Sequence, residues 1–297
     1  MRFRHMPFAA ALAALLALAS SAAQAKVRVV ASISDLASIA ASVGGDRVDV
    51  SSIARPGADV HRVEVLPSYM VRVARADVYL RVGLGLDQWA DGIIEGSRNA
   101  KLAIVDCSPG VHVLEKPTGK VTAAMGDIHP GGNPHYWLDP RNGAIVARTV
   151  AAALAQADPA GAADYARRAE AFAAECEAAW LAQRATAELL PSRLLLTYHR
   201  SWSYFANAFG FEVVETVEPV PGIPPTARHL ADLVEIVKRR NVPVLIQEPY
   251  YSSDAGRFLA RETGIRVVVG SPSCDGPEAG AYLEHFAALM RALGAER

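Results

Sequence analysis

Residues 142–190 constrain the fold more than any other part of this sequence. Alanine dominates there, strong helix formers fill most positions, and the one obvious interruption is Asp158-Pro159. Proline suits the first residue of a helix and aspartate suits its cap, so a helix is expected from Pro159 to Leu190. At 1.5 Å per residue its roughly 30 residues would run about 45 Å. Few globular helices reach that length, and one that does can cross the whole molecule and join two lobes.

The patterns on either side of this helix are alike. Strands are expected over 27–33, 48–53, 78–82 and 102–106, with helices near 35–43, 67–74 and 89–96. After the long helix come strands over 193–197, 212–217, 244–247 and 266–269. Helices over 201–209, 226–240, 253–263 and 278–293 alternate with them. Such alternation builds parallel βαβ units covered on both faces. The expected architecture is two α/β lobes with mainly parallel sheets, joined by one long linking helix, with a cleft between them. The lobes take residues 26–157 and 191–297, and the linker 158–190. A Gly- and Pro-rich stretch, 108–134, has little periodicity.

Residues 1–25 read as an export leader. Arg2, Arg4 and His5 precede an apolar run over 8–19, and Ala23-Gln24-Ala25 has the form of a signal peptidase site. The run is shorter than the roughly 20 residues needed to span a bilayer. With 51% apolar residues the chain can build cores, and its length admits two of ordinary size. Thirty basic against 31 acidic residues leave no basic footprint for nucleic acid. The three cysteines form neither a disulfide framework nor a Cys-x-x-Cys pair.

Four segments place a histidine or an acid just after an expected strand or in the loop that follows, where ligands of open α/β sheets bind. They are Gly57-Ala58-Asp59-Val60-His61, Asn133-Pro134-His135-Tyr136-Trp137, Thr197-Tyr198-His199-Arg200 and Gln247-Glu248-Pro249. A single histidine in a turn is ordinarily solvated or hydrogen-bonded, so the argument rests on the set. Two positions fall in each lobe, and three imidazoles with one carboxylate make a complete tetrahedral set for zinc. On these residues alone a metal receptor, a zinc hydrolase using an open fourth position and a structural protein of the same fold all stay open. No His-Glu-x-x-His or Gly-x-Ser-x-Gly motif supports the hydrolase.

These segments, with Asn133–Pro140, Thr197–Phe205, Glu248–Tyr251 and Val217–Pro225 in the same order, resemble the cluster 9 (ZnuA/TroA-like) solute-binding proteins. These are the metal receptors of zinc and manganese ABC importers. The resemblance covers the chain beyond the leader. It implies a periplasmic receptor rather than an enzyme, and a monomer that delivers its metal to a membrane importer permease, with a periplasmic metallochaperone as a further partner. His61, His135 and His199 match the family's histidine ligands. Many members place Asp before Pro at the end of the last strand, where this chain has Ser271-Pro272. Glu248 is therefore the expected fourth ligand, with Asp275 its competitor. Three histidines favour zinc as the transported ion over manganese, which prefers oxygen. Arg200 is expected to support the ligands from behind or to form an interlobe ion pair, and His129 at most to pass metal inward.

Overall fold

The computed structural model describes residues 25–119, 122, 126 and 129–294. All but the last residue of the expected leader lies outside them. The first sheet has β1 (Val27–Ala31), β2 (Val48–Ser52), β3 (Val78–Arg81) and β4 (Ala103–Asp106), in the order β2-β1-β3-β4. The second repeats this with β5 (Leu194–Thr197), β6 (Glu212–Thr216), β7 (Val244–Gln247) and β8 (Arg266–Val269), in the order β6-β5-β7-β8. Every strand pair is parallel. β7 reads Val-Leu-Ile-Gln and is buried at all four positions, as a central strand covered on both faces must be.

The helices are α1 (Ser34–Gly44), α2 (Pro67–Val73), α3 (Ala90–Ser97), α4 (Pro140–Ala157), α5 (Ala162–Glu188), α6 (Ser203–Phe209), α7 (Ala227–Arg240), α8 (Asp254–Thr263) and α9 (Ala281–Gly294). The linking helix is α5, whose 27 residues span about 40 Å. Its start differs from the sequence expectation. Pro159–Gly161 form a 3-10 turn and Asp158 makes no capping bond to it. Instead the Asp158 carboxylate accepts from Arg47 (2.6 and 2.8 Å) and from the Tyr165 hydroxyl (2.7 Å), partners distant in sequence or about two turns ahead.

The lobes share one core. A single apolar cluster runs from Val29 and Leu36 through Trp137 and Phe172 to Trp202, Phe205 and Phe286. Smaller clusters flank it, around Leu233, Leu245 and Leu259 in the second lobe and Tyr69, Tyr79 and Ile93 in the first. The reason is that α9 turns back to pack on α5 and on α1 of the first lobe. Polar contacts reinforce this seam. Ser34 Oγ donates to Cys274 O (2.7 Å), Cys274 N to Asp35 Oδ1 (3.1 Å), and Trp137 Nε1 to Pro272 O (2.7 Å).

Candidate metal centre

The three histidines meet between the lobes at the carboxyl ends of the sheets. Each ring offers one ligand atom to a group whose members all lie within 4.8 Å of one another. Ring centroids are 5.0 Å apart for His61–His135, 5.2 Å for His61–His199 and 5.8 Å for His135–His199.

The chain aims the first two rings with the same local device. Two residues before His61, Asp59 Oδ1 accepts both the His61 backbone N–H (2.9 Å) and its Nδ1–H (2.9 Å). Two residues before His135, Asn133 Oδ1 does the same at 3.0 and 2.9 Å. The Asn133 amide is oriented from its other side, where Nδ2 donates to Arg200 O and to Glu115 Oε2, both at 3.0 Å. The oxygen therefore faces His135, and Nδ1 carries the proton. His199 leaves β5 and finds its partner on the neighbouring strand end: Nδ1–H donates to Glu218 Oε2 at 2.6 Å. The same oxygen accepts Gly222 N–H at 3.0 Å.

With Nδ1 committed, Nε2 is the donor left for a metal, the arrangement by which proteins orient and strengthen imidazole ligands. The Nε2 atoms of His61 and His135 are buried and have no hydrogen-bond partner. Leaving a buried polar group unpaired costs about 1–3 kcal/mol, so two orphaned nitrogens converging on one point mark a ligand site. Burial, with the other imidazoles beside it, holds His135 well below the ordinary histidine range. At neutral pH its ring is uncharged, as metal ligation requires. Burial also pushes the Asp59 carboxyl up, but the hydrogen bonds and charge of His61 outweigh it and hold Asp59 ionised below its usual range.

The two carboxylates expected at the fourth position are placed differently. No carboxylate oxygen of a described residue joins the three nitrogens within 4.8 Å. Glu248 is fully buried, and its Oε1 accepts from Ser201 Oγ (3.0 Å) and Trp202 Nε1 (2.9 Å), while Oε2 has no partner. Burial pushes its carboxyl up to about 8, in the direction of the neutral acid. Asp275 is exposed and faces His285 on α9. Ser271 turns inward on its own loop, its hydroxyl donating to Ser273 O at 2.8 Å. The His129 ring stacks on His61 at 5.6 Å, beside the group but not within it. Arg200 is exposed and makes no ion pair with a described residue, so the expected interlobe ion pair is not formed among them; it supports the ligands only through its carbonyl, which accepts from Asn133 Nδ2. Sequence reasoning assigned no role to Asp59, Asn133 or Glu218. An oxygen-bearing side chain two residues before both His61 and His135 was the visible signal for the first two; nothing local marked Glu218.

A cavity of about 470 Å³ opens beside the group, with His135 and His199 in its wall and Glu115, Lys116 and Arg200 around it.

Two α/β lobes closed on a centre of three buried imidazoles define a bilobal metal-binding receptor. The chain belongs to the family described as "Zinc-uptake complex component A periplasmic", which it matches over residues 29–295. It is 30% identical over 245 residues to the iron-binding protein YfeA of Yersinia pestis, covering 80% of this chain and 75% of that one. It is 25% identical to the manganese-binding lipoprotein MntA of Halalkalibacterium halodurans, covering 81% and 77%. A crystal structure of ZnuA superposes with a TM-score of 0.79 at 26% identity, over 91% of this chain and 98% of that one. The family is one of metal-binding receptors that work with the permease and ATPase of ABC importers, not of enzymes. Among the described residues no helix is long and apolar enough to cross a membrane.

Proposed function

We propose that this chain is exported, loses its leader near Ala25, and acts in the periplasm as a monomeric receptor that captures zinc and hands it to a membrane ABC importer. A periplasmic metallochaperone is a compatible donor. His61, His135 and His199 are the protein ligands in this reading. The observation that carries it is the convergence of three rings whose Nδ1 atoms are engaged, leaving Nε2 for the metal. Neutral nitrogen donors favour zinc, whereas manganese binds weakest in the divalent series and prefers oxygen. Relatives named for iron and manganese make this choice of metal the point to test. Chelator-stripped protein should take up one zinc per chain and prefer it to manganese by at least tenfold, about 1.4 kcal/mol. Equal affinity for manganese in competition would overturn the assignment to zinc.

A further inference from the structure

The charges around the three histidines leave little need for a further protein acid at the metal. Asp59 and Glu218 stand behind His61 and His199, each hydrogen-bonded to a ring. Their two negative charges already match those of a divalent ion held by neutral imidazoles. The adjoining cavity then needs no further acid, and its charged side chains agree. Lys116 and Arg200 line it, and neither forms an ion pair with a described residue. Glu115 is the third charged group, and both its oxygens are engaged, Oε1 by Ser203 Oγ at 2.7 Å and Oε2 by Asn133 Nδ2 at 3.0 Å. Among the described residues the lining therefore carries one net positive charge beside a metal site. Free cations there repel an incoming dication unless an anion lies between them.

Coordination and volume point the same way. Three protein nitrogens leave one position of a tetrahedral zinc site to an outside donor. The cavity of about 470 Å³ is far larger than the roughly 30 Å³ share of one water, and lies in the range of small-molecule sites.

We infer that the receptor binds its metal together with a small anionic oxygen donor, a monocarboxylate of the hydroxy-acid class, whose carboxylate fills the fourth position while Lys116 and Arg200 hold it in the cavity. This rests on the reading of the three histidines as ligands. The bound species is then a metal complex rather than a naked ion, and Lys116 and Arg200 select the complex without touching the metal.

The test uses the full exported chain, loaded with zinc for calorimetry and with cobalt(II) for visible absorption, and titrated with lactate and with glycolate. Both are monoanions that chelate too weakly to strip a three-histidine site. The expected result is saturable 1:1 binding with a shift of the cobalt bands, absent from metal-free protein. Replacing both cations (Lys116→Ala with Arg200→Ala) should weaken anion binding at least tenfold and leave zinc affinity measured without anion within twofold. Metal loading without any anion response would overturn the inference and leave the zinc receptor standing. Equal anion binding to metal-free protein, or loss of zinc affinity in the double variant, would overturn it as well. Failure to bind zinc or cobalt at all would remove the receptor reading and the inference with it.

Discussion

The ring of His199 and the carboxylate of Glu218 are joined by a 2.6 Å hydrogen bond between side chains that are 3% and 4% exposed. The acid comes from the end of β6 and the imidazole from the end of β5, so the parallel pairing of these strands creates the contact. A carboxylate in this place fixes the ring's direction and raises the basicity of Nε2.

Glu218→Gln keeps the shape but removes the charge behind the ligand. Zinc affinity should fall about 10- to 100-fold, the usual cost of losing such a partner. Competition against a chromophoric chelator measures this, and an unchanged affinity would show that Glu218 does not tune His199.

Glu248 and Asp275 should part company in a different way. Glu248→Ala leaves Ser201 Oγ and Trp202 Nε1 unpaired in a buried site, so stability should drop by about 1–3 kcal/mol. Zinc affinity of the folded protein should change by less than about threefold, under 1 kcal/mol. Asp275→Ala should alter neither quantity, its carboxylate being exposed. A tenfold loss of zinc affinity in either variant would assign that carboxylate as the fourth ligand.

Zinc binding should release no more than about two protons per metal at pH 5. A histidine in water titrates near 6.5, but burial keeps His135 neutral well below that, so this ring has no proton to give up there. Calorimetry in buffers of different ionisation enthalpy counts the protons. A value of three would mean that His135 is charged in the metal-free protein.

Two buried groups away from the metal set opposite pH trends in stability. Burial raises Asp35 to about 7, so the folded chain keeps a proton that the unfolded chain releases near 4, and stability falls as pH rises between those values. Burial lowers His285 to about 4, so the unfolded chain holds the extra proton up to about 6.5, and stability rises with pH over most of the same window. Asp35→Asn removes the first trend alone. Metal-free Asp35→Asn should therefore gain stability from pH 4.5 to 6.5 more steeply than the parent, by up to about 1.4 kcal/mol per pH unit. Urea midpoints at three pH values suffice, and identical slopes would place the Asp35 titration outside this window.

Most of this fold is legible in the sequence because its signals are local. Apolar runs of strand length and helical spacing mark all eight strands and the helices between them to within a few residues. The placing of His61, His135 and His199 in cleft-facing loops is legible too, because loops that follow parallel strands lie at the carboxyl end of their sheet. Asp59-x-His61 and Asn133-x-His135 carry their own orienting oxygens, since a two-residue hydrogen bond needs no distant partner.

What only the tertiary structure decided is every choice that depends on which distant group arrives. Glu218 reaches His199 through strand pairing, and Asp158 leaves its expected helix cap for Arg47 and Tyr165. Glu248 sits at the strand end foreseen for it, yet Ser201 and Trp202 hold one of its oxygens, and burial favours its neutral form. The two lobes that alternate so cleanly along the chain share one core because α9 folds back across α5 and α1. Periodicity records which face of an element avoids water; it does not record which other element will cover that face.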